Sequence, residues 1–496
     1  MKKILYLEIY EYVINKIKHK QWLPNFKIPS KRKLSEAFNV SLITVATALE
    51  QLESEGYIYS KERIGYFVCD IEVLTKHEPN NNYNFEPNND NYLFDFRNNN
   101  GDILNFPFSN WQKIERKILN DNKELLFNKP QSFGEQPLRK AIANYLNNNL
   151  AMNVSYKQVI ITSGSDNSYN NLINFFGRKK KYGLEDPGYQ NISSIYKLND
   201  LKYKYIKLDD YGIDINELKK SKVDIVHVST NHHYPSGIVM PISRRYELIK
   251  WAKENNSIII EDDYDVELRL RGKLINPLFT LDDNNVVYLN TFSLTLNPGF
   301  RIAYMVLPKR LVKEYENKMS TFKCNVSKLE QLILAEFISS GAYERYLNKK
   351  KKRYQDIRNT FINKISILSN KHNLILKEAD LGLHVLITYP YKVSDEKVLE
   401  IAKTLKIKIY PLSHFMHEKK DTHTLIVNYS CFNKDNIEKG ISILEQLFES
   451  IEKAWLNQAF CLIYLLKYSS IDLAANLPAP IAEITVAAPV TASPPA

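Results

Sequence analysis

The chain has 496 residues, which exceeds one ordinary domain and predicts about three folded units. Apolar residues make up 44% of the sequence and aromatic residues 12%, a globular composition that excludes a largely disordered chain. The formal net charge of +11 is compatible with a polyanionic partner and equally with a lysine-rich solvated surface, so charge alone identifies no ligand.

The cysteines and the N-terminus indicate the cellular compartment. Cys69, Cys324, Cys431 and Cys461 stand far apart without paired spacing, so we expect neither a disulfide framework nor a metal site. The N-terminus lacks the apolar core of a signal peptide, and no uninterrupted apolar run of about 18 residues occurs. The sequence therefore predicts a cytoplasmic protein without a membrane span and without a metal.

The N-terminal segment predicts three helices followed by a β-wing. Residues 4–20 carry apolar side chains at helical spacing, and Ser30 and Ser41 each precede a short helical stretch in the position of an N-cap. Two short runs rich in aromatic residues, 57–59 and 66–68, are typical of strands joined by a tight loop. This order of elements is that of a winged helix-turn-helix.

Residues 1–69 also carry side chains suited to DNA. A helix that enters the major groove requires short polar side chains in its first turn and cations close by. Ser41 and Thr44 can supply the first, and Arg32 and Arg63 the second. Up to residue 68 the segment has 11 lysines and arginines against 7 glutamates and no aspartate, which leaves a charge of +4. The alternative is that Ser41 acts only as a helix cap.

Composition divides the rest of the chain. Residues 70–101 contain asparagine runs, two prolines and little apolar periodicity, which predicts a linker. Over residues 102–453 short apolar runs alternate with helical patterns, which indicates an α/β domain: a mostly parallel central sheet flanked by helices, with a small C-terminal α+β subdomain. Residues 454–496 form an atypical tail with an Ala/Pro-rich end, which we expect to be disordered; foreign sequence from a frameshift or fusion is the alternative.

A series of motifs follows the predicted strands of this domain. The first, Thr162-Ser163-Gly164-Ser165, comes after a strand and opens a helix, which is the geometry of a phosphate cradle. Each motif alone is weak evidence, but their order, each at a strand end, indicates one shared site. The others are Glu185-Asp186-Pro187-Gly188-Tyr189, His232-His233-Tyr234-Pro235-Ser236-Gly237, Ile260-Glu261-Asp262-Asp263-Tyr264-Asp265, Thr291-Phe292-Ser293 and Asn297-Pro298-Gly299-Phe300-Arg301.

With these motifs the chain resembles the MocR subfamily of GntR-type transcription regulators from residue 1 to about residue 453. In that subfamily a winged helix-turn-helix is fused to a class I aminotransferase-like domain of the pyridoxal 5′-phosphate (PLP) fold type I. The N-terminal part of the resemblance rests on Ser30-x-Arg32-x-Leu34, Val40-Ser41, Leu52-x-x-x-Gly56 and Arg63-x-Gly65.

The resemblance implies roles for individual residues. Asp262 would pair with the pyridine nitrogen of PLP, Tyr264 with its phenolic oxygen, and Tyr189 would lie beside the ring. The alternative for Asp262 and Tyr264 is an ordinary acidic strand end. The residues implied to hold the phosphate are Ser165, Ser293 and Arg301. The residues implied to contact DNA are Arg32, Ser41, Thr44 and Arg63.

Four positions depart from the pattern of the subfamily. Leu294 stands where the subfamily has the lysine that binds PLP covalently, so we expect no catalytic residues. Cys431 replaces an arginine that would clamp a substrate carboxylate, and Leu42 replaces an arginine that would contact DNA. Asp166 replaces an amide in the phosphate cradle; a carboxylate about 4 Å from one phosphate charge would cost about 4 kcal/mol at an effective dielectric of about 20. The alternative is that Asp166 only favours the helix dipole.

These departures favour a DNA-binding transcription regulator whose aminotransferase-like domain serves dimerisation and effector sensing. One alternative is an active PLP-dependent aminotransferase with a DNA-binding head, in which a neighbouring lysine replaces the missing one. Another is a decayed gene product without function. The resemblance implies double-stranded DNA, a second copy of the chain and a small-molecule effector as partners, with any PLP bound non-covalently.

Overall fold

The computed structural model describes residues 5–70, 92–97, 105–121, 123–270, 272, 274–378 and 382–475. The chain divides into two units, residues 1–90 and residues 91–496. None of the helices in the described residues is long and apolar enough to cross a bilayer.

The first unit is a winged helix-turn-helix, as predicted. Ser30 accepts a hydrogen bond from the N–H of Lys33 at 3.4 Å and Ser41 from the N–H of Thr44 at 3.2 Å, so both serines cap helices. One buried apolar cluster joins all three helices to the wing. The elements are α1 (Leu5–Lys18), α2 (Lys31–Phe38), α3 (Leu42–Ser54) and the antiparallel strands β1 (Ile58–Lys61) and β2 (Gly65–Val68).

A mostly parallel sheet forms the centre of the second unit, which confirms the predicted α/β architecture. Its strands are β4 (Val159–Thr162), β5 (Lys181–Asp186), β6 (Lys202–Asp209), β7 (Gly212–Ile213), β8 (Ile225–Val228), β9 (Ile258–Asp262), β10 (Val286–Thr291) and β11 (Ala303–Val306). Their order is β4-β11-β10-β9-β8-β5-β6-β7. β11 is antiparallel to both of its neighbours and β7 to β6, whereas β10, β9, β8, β5 and β6 are parallel.

Helices cover both faces of this sheet. Alternate residues of β10 enter different clusters: Val286 and Tyr288 pack with one set of helices, and Val287 and Leu289 with another. The strand is therefore buried on both faces. The helices of this part are α4 (Phe108–Asp121), α5 (Lys123–Phe127), α6 (Gln136–Leu150), α7 (Ser165–Phe176), α8 (Gln190–Leu198), α9 (Ile215–Ser221), α10 (Ile242–Asn255), α11 (Lys309–Met319) and α12 (Lys328–Ser339).

A smaller α+β subdomain follows, as the sequence predicts. Its elements are α13 (Ala342–His372), β12 (Ile375–Glu378), β13 (His384–Thr388), α14 (Asp395–Thr404), β14 (Ile407–Lys408), β15 (Tyr410–Pro411), β16 (Thr424–Asn428) and α15 (Ile437–Ala475). Four of its strands form an antiparallel sheet in the order β12-β13-β16-β15. A second core, which includes Phe361, Val427 and Leu444, lies between this sheet and its helices.

The predicted linker over 70–101 is wrong at its C-terminal end. The strand β3 (Phe94–Asp95) pairs in parallel with β14, and the rings of Phe94 and Phe96 are buried in the core of the subdomain. The partner strand is far away in sequence, so local composition could not indicate this pairing. Residues 71–91 and 98–101 of the predicted linker lie outside the described residues.

The predicted tail over 454–496 is wrong in its first half. The helix α15 continues to Ala475, and residues 454–475 contain neither proline nor glycine to end it. Residues 476–496, with the Ala/Pro-rich end, lie outside the described residues.

Phe96→Ala is expected to destabilise the larger unit by about 3–5 kcal/mol, because the ring is fully buried against Phe94 and Phe432. Denaturant unfolding of the full chain, followed by circular dichroism, measures the change. Leu93→Ala, a half-exposed neighbour in the same segment, is the matched control and should shift stability by less than about 0.5 kcal/mol. An unchanged transition in Phe96→Ala would mean that this segment is a linker after all.

Candidate functional site

A cavity of about 740 Å³ lies at the carboxyl ends of the parallel strands. Asp262 ends β9, and residues just beyond β5, β8 and β10 line the same space. The structure brings together all six residues that the resemblance connects with a ligand. These are Ser165, Tyr189, Asp262, Tyr264, Ser293 and Arg301.

Asp262 is a largely buried carboxylate with two polar neighbours, of which Tyr169 forms a hydrogen bond to it. The Tyr169 hydroxyl on α7 donates to Asp262 Oδ2 at 2.5 Å, and His227 Nε2 on β8 lies 3.7 Å from the same oxygen. Burial raises the pKa of Asp262 to about 6 and lowers the pKa of His227 to about 3, so at neutral pH the carboxylate is charged and the imidazole is neutral. In the described part of the chain no lysine or arginine pairs with Asp262. The site therefore presents an anion that a cationic N–H can neutralise.

Tyr264 presents a neutral hydroxyl beside a histidine–carboxylate pair. His232 Nδ1 lies 2.6 Å from Asp265 Oδ2 and 3.2 Å from the Tyr264 hydroxyl. Burial, and after it the charge of Asp265, raises the pKa of Tyr264 well above its ordinary value. The phenol keeps its proton and can both donate and accept a hydrogen bond at this wall of the cavity.

The start of α7 forms the cradle end of the cavity. Ser165 begins the helix after Gly164, whose φ of 89° favours glycine, and a Cβ at Gly164 would come within 2.8 Å of the Arg301 guanidinium. Arg301 Nη2 donates to Asp166 Oδ2 at 3.0 Å, and Asp166 lies in the first turn of α7. The guanidinium thus pairs with a carboxylate of the chain itself, and both side chains are about half exposed.

Leu294 lines the cavity where the resemblance implies a lysine. Lys350 on α13 approaches the same segment: its Nζ donates to the carbonyl oxygens of Leu294 at 2.7 Å and Thr295 at 3.0 Å, and its side chain is buried. Among the described residues that line the cavity, Lys419 is the only lysine. Lys350 therefore supports the backbone of this segment and presents no amine to the cavity.

Among the described residues that line the cavity, no unpaired arginine replaces the missing carboxylate clamp. Cys431 does not line the cavity; its thiol donates to the carbonyl oxygen of Asn428 at 3.1 Å, and burial raises its pKa to about 12. Arg97 does line the cavity, but Asp95 accepts two hydrogen bonds from its guanidinium, at 2.9 and 2.8 Å. Arg97 and Arg301 are the arginines among the described residues that line the cavity, and each pairs with a carboxylate of the chain.

Sequence reasoning missed Tyr169, His227 and Arg97. Tyr169 lies four residues after Ser165 on α7, so a helical-face argument could have found it. His227 requires the knowledge that β8 lies beside β9, which only the strand order supplies. Arg97 was hidden because its segment was interpreted as linker.

The start of α3 and the wing form a second candidate surface, on the first unit. Arg32, Ser41 and Arg63 are exposed, and Thr44 is half-buried. Ser41 caps α3, and its hydroxyl also lies 2.8 Å from that of Thr44. Leu42 is 49% exposed, so an uncharged side chain faces outward in the first turn. A surface of this kind can enter a groove of DNA with its polar turn and contact phosphates with its flanking arginines.

Family models match both units. Residues 95–437 match aminotransferase class I and II, and residues 5–68 match the bacterial regulatory proteins of the gntR family. The uncharacterized HTH-type transcriptional regulator YdeL of Bacillus subtilis (strain 168) is 34% identical over 445 residues, which cover 89% of this chain and 96% of YdeL. The probable rhizopine catabolism regulatory protein MocR of Rhizobium meliloti is 24% identical over 450 residues, which cover 86% and 90% of the two chains.

A solved structure shares the fold of the larger unit. LysN, the alpha-aminoadipate aminotransferase of Thermus thermophilus complexed with N-(5′-phosphopyridoxyl)-L-leucine, superposes with a TM-score of 0.64 at 20% identity, covering 73% of this chain and 93% of LysN. This likeness shows the aminotransferase fold alone. With both units matched and YdeL similar over nearly its whole length, the chain belongs to the MocR-type, GntR-like HTH transcription regulators that carry an aminotransferase class I and II domain.

Proposed function

We propose that this regulator senses a small molecule in its aminotransferase-like domain and carries out no transamination. The observation that carries the proposal is Leu294 in the cavity wall, with the amine of Lys350 bound to the backbone behind it. A leucine offers neither an amine for covalent attachment nor a base for proton transfer. The remaining polar groups can bind and orient a ligand without reacting with it.

The first unit supplies the DNA contacts in this proposal. The helix α3 enters the major groove with Ser41 and Thr44 in its first turn, and Arg32 and Arg63 neutralise phosphates on either side. A homodimer held together by the large units would offer two such heads to two half-sites. The exposure of the two arginines supports these roles.

The ring end of the cavity suits PLP, but the aldehyde and phosphate ends do not. Asp262 and Tyr264 would meet the pyridine nitrogen and the phenolic oxygen, with Tyr189 beside the ring. Leu294 cannot bind the aldehyde, and Arg301 is already paired with a carboxylate. Any PLP in this cavity is therefore held non-covalently, and we assign no reaction step to it.

Leu42→Arg is expected to tighten binding to duplex DNA and to steepen the dependence of log Kd on log salt by about one, because one more phosphate contact releases one more counterion. Arg63→Ala should flatten the same slope by about one. Fluorescence anisotropy of a labelled duplex at several KCl concentrations measures both. Arg178→Ala, an exposed arginine of the large unit, is the charge-matched control for the loss of Arg63. Equal slopes in all four proteins would contradict the assigned DNA surface.

The parent protein with excess PLP should show no borohydride-reducible adduct on a cavity residue, whereas Leu294→Lys should give one at residue 294. Absorbance between about 320 and 450 nm, followed by reduction and peptide mass spectrometry, locates the adduct. Lys419→Arg in the parent background is the control for the lysine in the cavity wall. A reduced adduct on Lys350 or Lys419 of the parent would favour the aminotransferase alternative instead.

Asp262→Asn is expected to make the stability of the large unit less dependent on pH. The folded-state pKa of Asp262, about 6, lies above its ordinary value of 3.8, so its protonation stabilises the fold at low pH and this contribution is lost as pH rises through 6. Between pH 5 and 7.5 the parent should lose about 1.4 kcal/mol that the variant keeps. Urea unfolding at the two pH values tests this, with the exposed Asp283→Asn as control. The same pH dependence in parent and Asp262→Asn would rule out a perturbed carboxyl.

A further inference from the structure

We propose that the cavity selects an aromatic ligand of the hydroxypyridine class that has a protonated ring nitrogen and no phosphate group, because Asp166 already pairs with Arg301, the arginine of the cradle. This inference rests on the proposed sensing function and names the ligand class for the same site. A ligand of this class would set the protein apart from a regulator that binds PLP, which carries a phosphate.

At the cradle end the charge of Arg301 is balanced by Asp166. Arg301 is the arginine that lies at the start of α7, and its guanidinium donates to Asp166 at 3.0 Å. The N-terminus of α7 attracts the same carboxylate, because Asp166 stands in the first helical turn. A phosphate at Arg301 would compete with Asp166 for the guanidinium and lie near a second negative charge. Both side chains are about half exposed, so solvent reduces this repulsion without removing it. A hydroxymethyl group in the same place meets no such repulsion.

The opposite end carries spare negative charge. Asp262 accepts from Tyr169 at 2.5 Å, and among the described residues neither lysine nor arginine pairs with it. A protonated ring nitrogen placed there would donate to the carboxylate and neutralise it. The other arginine of the wall, Arg97, is held by Asp95 in a two-bond pair, so it offers no counter-charge to an anionic ligand either.

The wall between the two ends is aromatic. Aromatic rings from several elements line the space and suit a flat ring with a protonated nitrogen, which their faces attract. Tyr264 adds a protonated hydroxyl for a ring oxygen, next to His232. The aromatic residues concerned are Tyr189, Tyr234, Tyr264, Tyr410 and Phe415. Shape, charge and hydrogen bonding thus agree on an unphosphorylated hydroxypyridine whose ring nitrogen carries a proton.

The test compares pyridoxine with pyridoxine 5′-phosphate by titration calorimetry on the full chain, since these probes differ only in the phosphate and neither carries an aldehyde. The parent should bind pyridoxine at least tenfold more tightly than its phosphate ester. Asp166→Asn should raise affinity for the ester at least tenfold and leave pyridoxine within about twofold. Asp262→Asn should weaken both probes. Glu400→Gln, which removes an exposed carboxylate on α14, is the control for net charge and should change neither.

Tighter binding of the ester by the parent, an unchanged ratio in Asp166→Asn, or no binding of pyridoxine would each overturn the inference. DNA binding is measured on the same preparations by anisotropy. A protein that binds DNA but not pyridoxine refutes only the ligand class, whereas failure to bind DNA refutes the proposed regulator itself. If Asp166→Asn proves unstable, inorganic phosphate as a competitor gives an independent reading: it should not displace pyridoxine from the parent.

Discussion

The charge that the cavity offers to a ligand depends on one carboxylate, Asp262. This residue ends β9, a strand that is buried on both faces. β9 lies between β8 and β10, and helices cover it on either side, so its end is shielded from bulk water. A charge in such a place is costly unless hydrogen bonds replace the lost hydration. The Tyr169 hydroxyl provides one at 2.5 Å, and the neutral imidazole of His227 is a polar neighbour without charge. The Asp262 carboxylate thus accepts a hydrogen bond but has no cation paired with it among the described residues. A ligand with a cationic N–H therefore gains the most binding energy at this position.

The neighbouring residue shows that strand position alone does not make a binding group. Glu261 points to the other side of β9, where the Thr230 hydroxyl and the N–H groups of Leu278 and Phe279 donate to its carboxylate. Those bonds use both oxygens, so Glu261 fastens a loop to the sheet. A similar division separates Leu294, which lines the cavity, from Lys350, which holds the backbone of the same segment. The scaffold that positions a ligand therefore does not require the amine that would react with it.

Local signals in the sequence were sufficient where the structure is local. The cap at Ser41 and the strand-end position of Asp262 follow from short-range pattern, and both were predicted. The pairing of β3 with β14 and the contact of His227 with Asp262 join segments distant in sequence, and no periodicity encodes them. Asp166 was identified as a departure, but its partner was not, because only the fold brings Arg301 beside it. The sequence alone shows which charge is unusual, and the structure shows what neutralises it.

A regulator requires a difference in free energy between its ligand-bound and ligand-free forms, and this difference does not require a covalent bond. An ionised Asp262 without a cation raises the free energy of the empty cavity, so a ligand that neutralises it has binding energy available to shift a conformational equilibrium. In our proposal the Asp166–Arg301 pair acts in the opposite way, because it balances the charge of the arginine and reduces what a phosphate would gain there. In the proposed regulator, Leu294 and Asp166 thus act in the same direction: the ligand binds without a covalent bond, and the cavity distinguishes ligands by their ring.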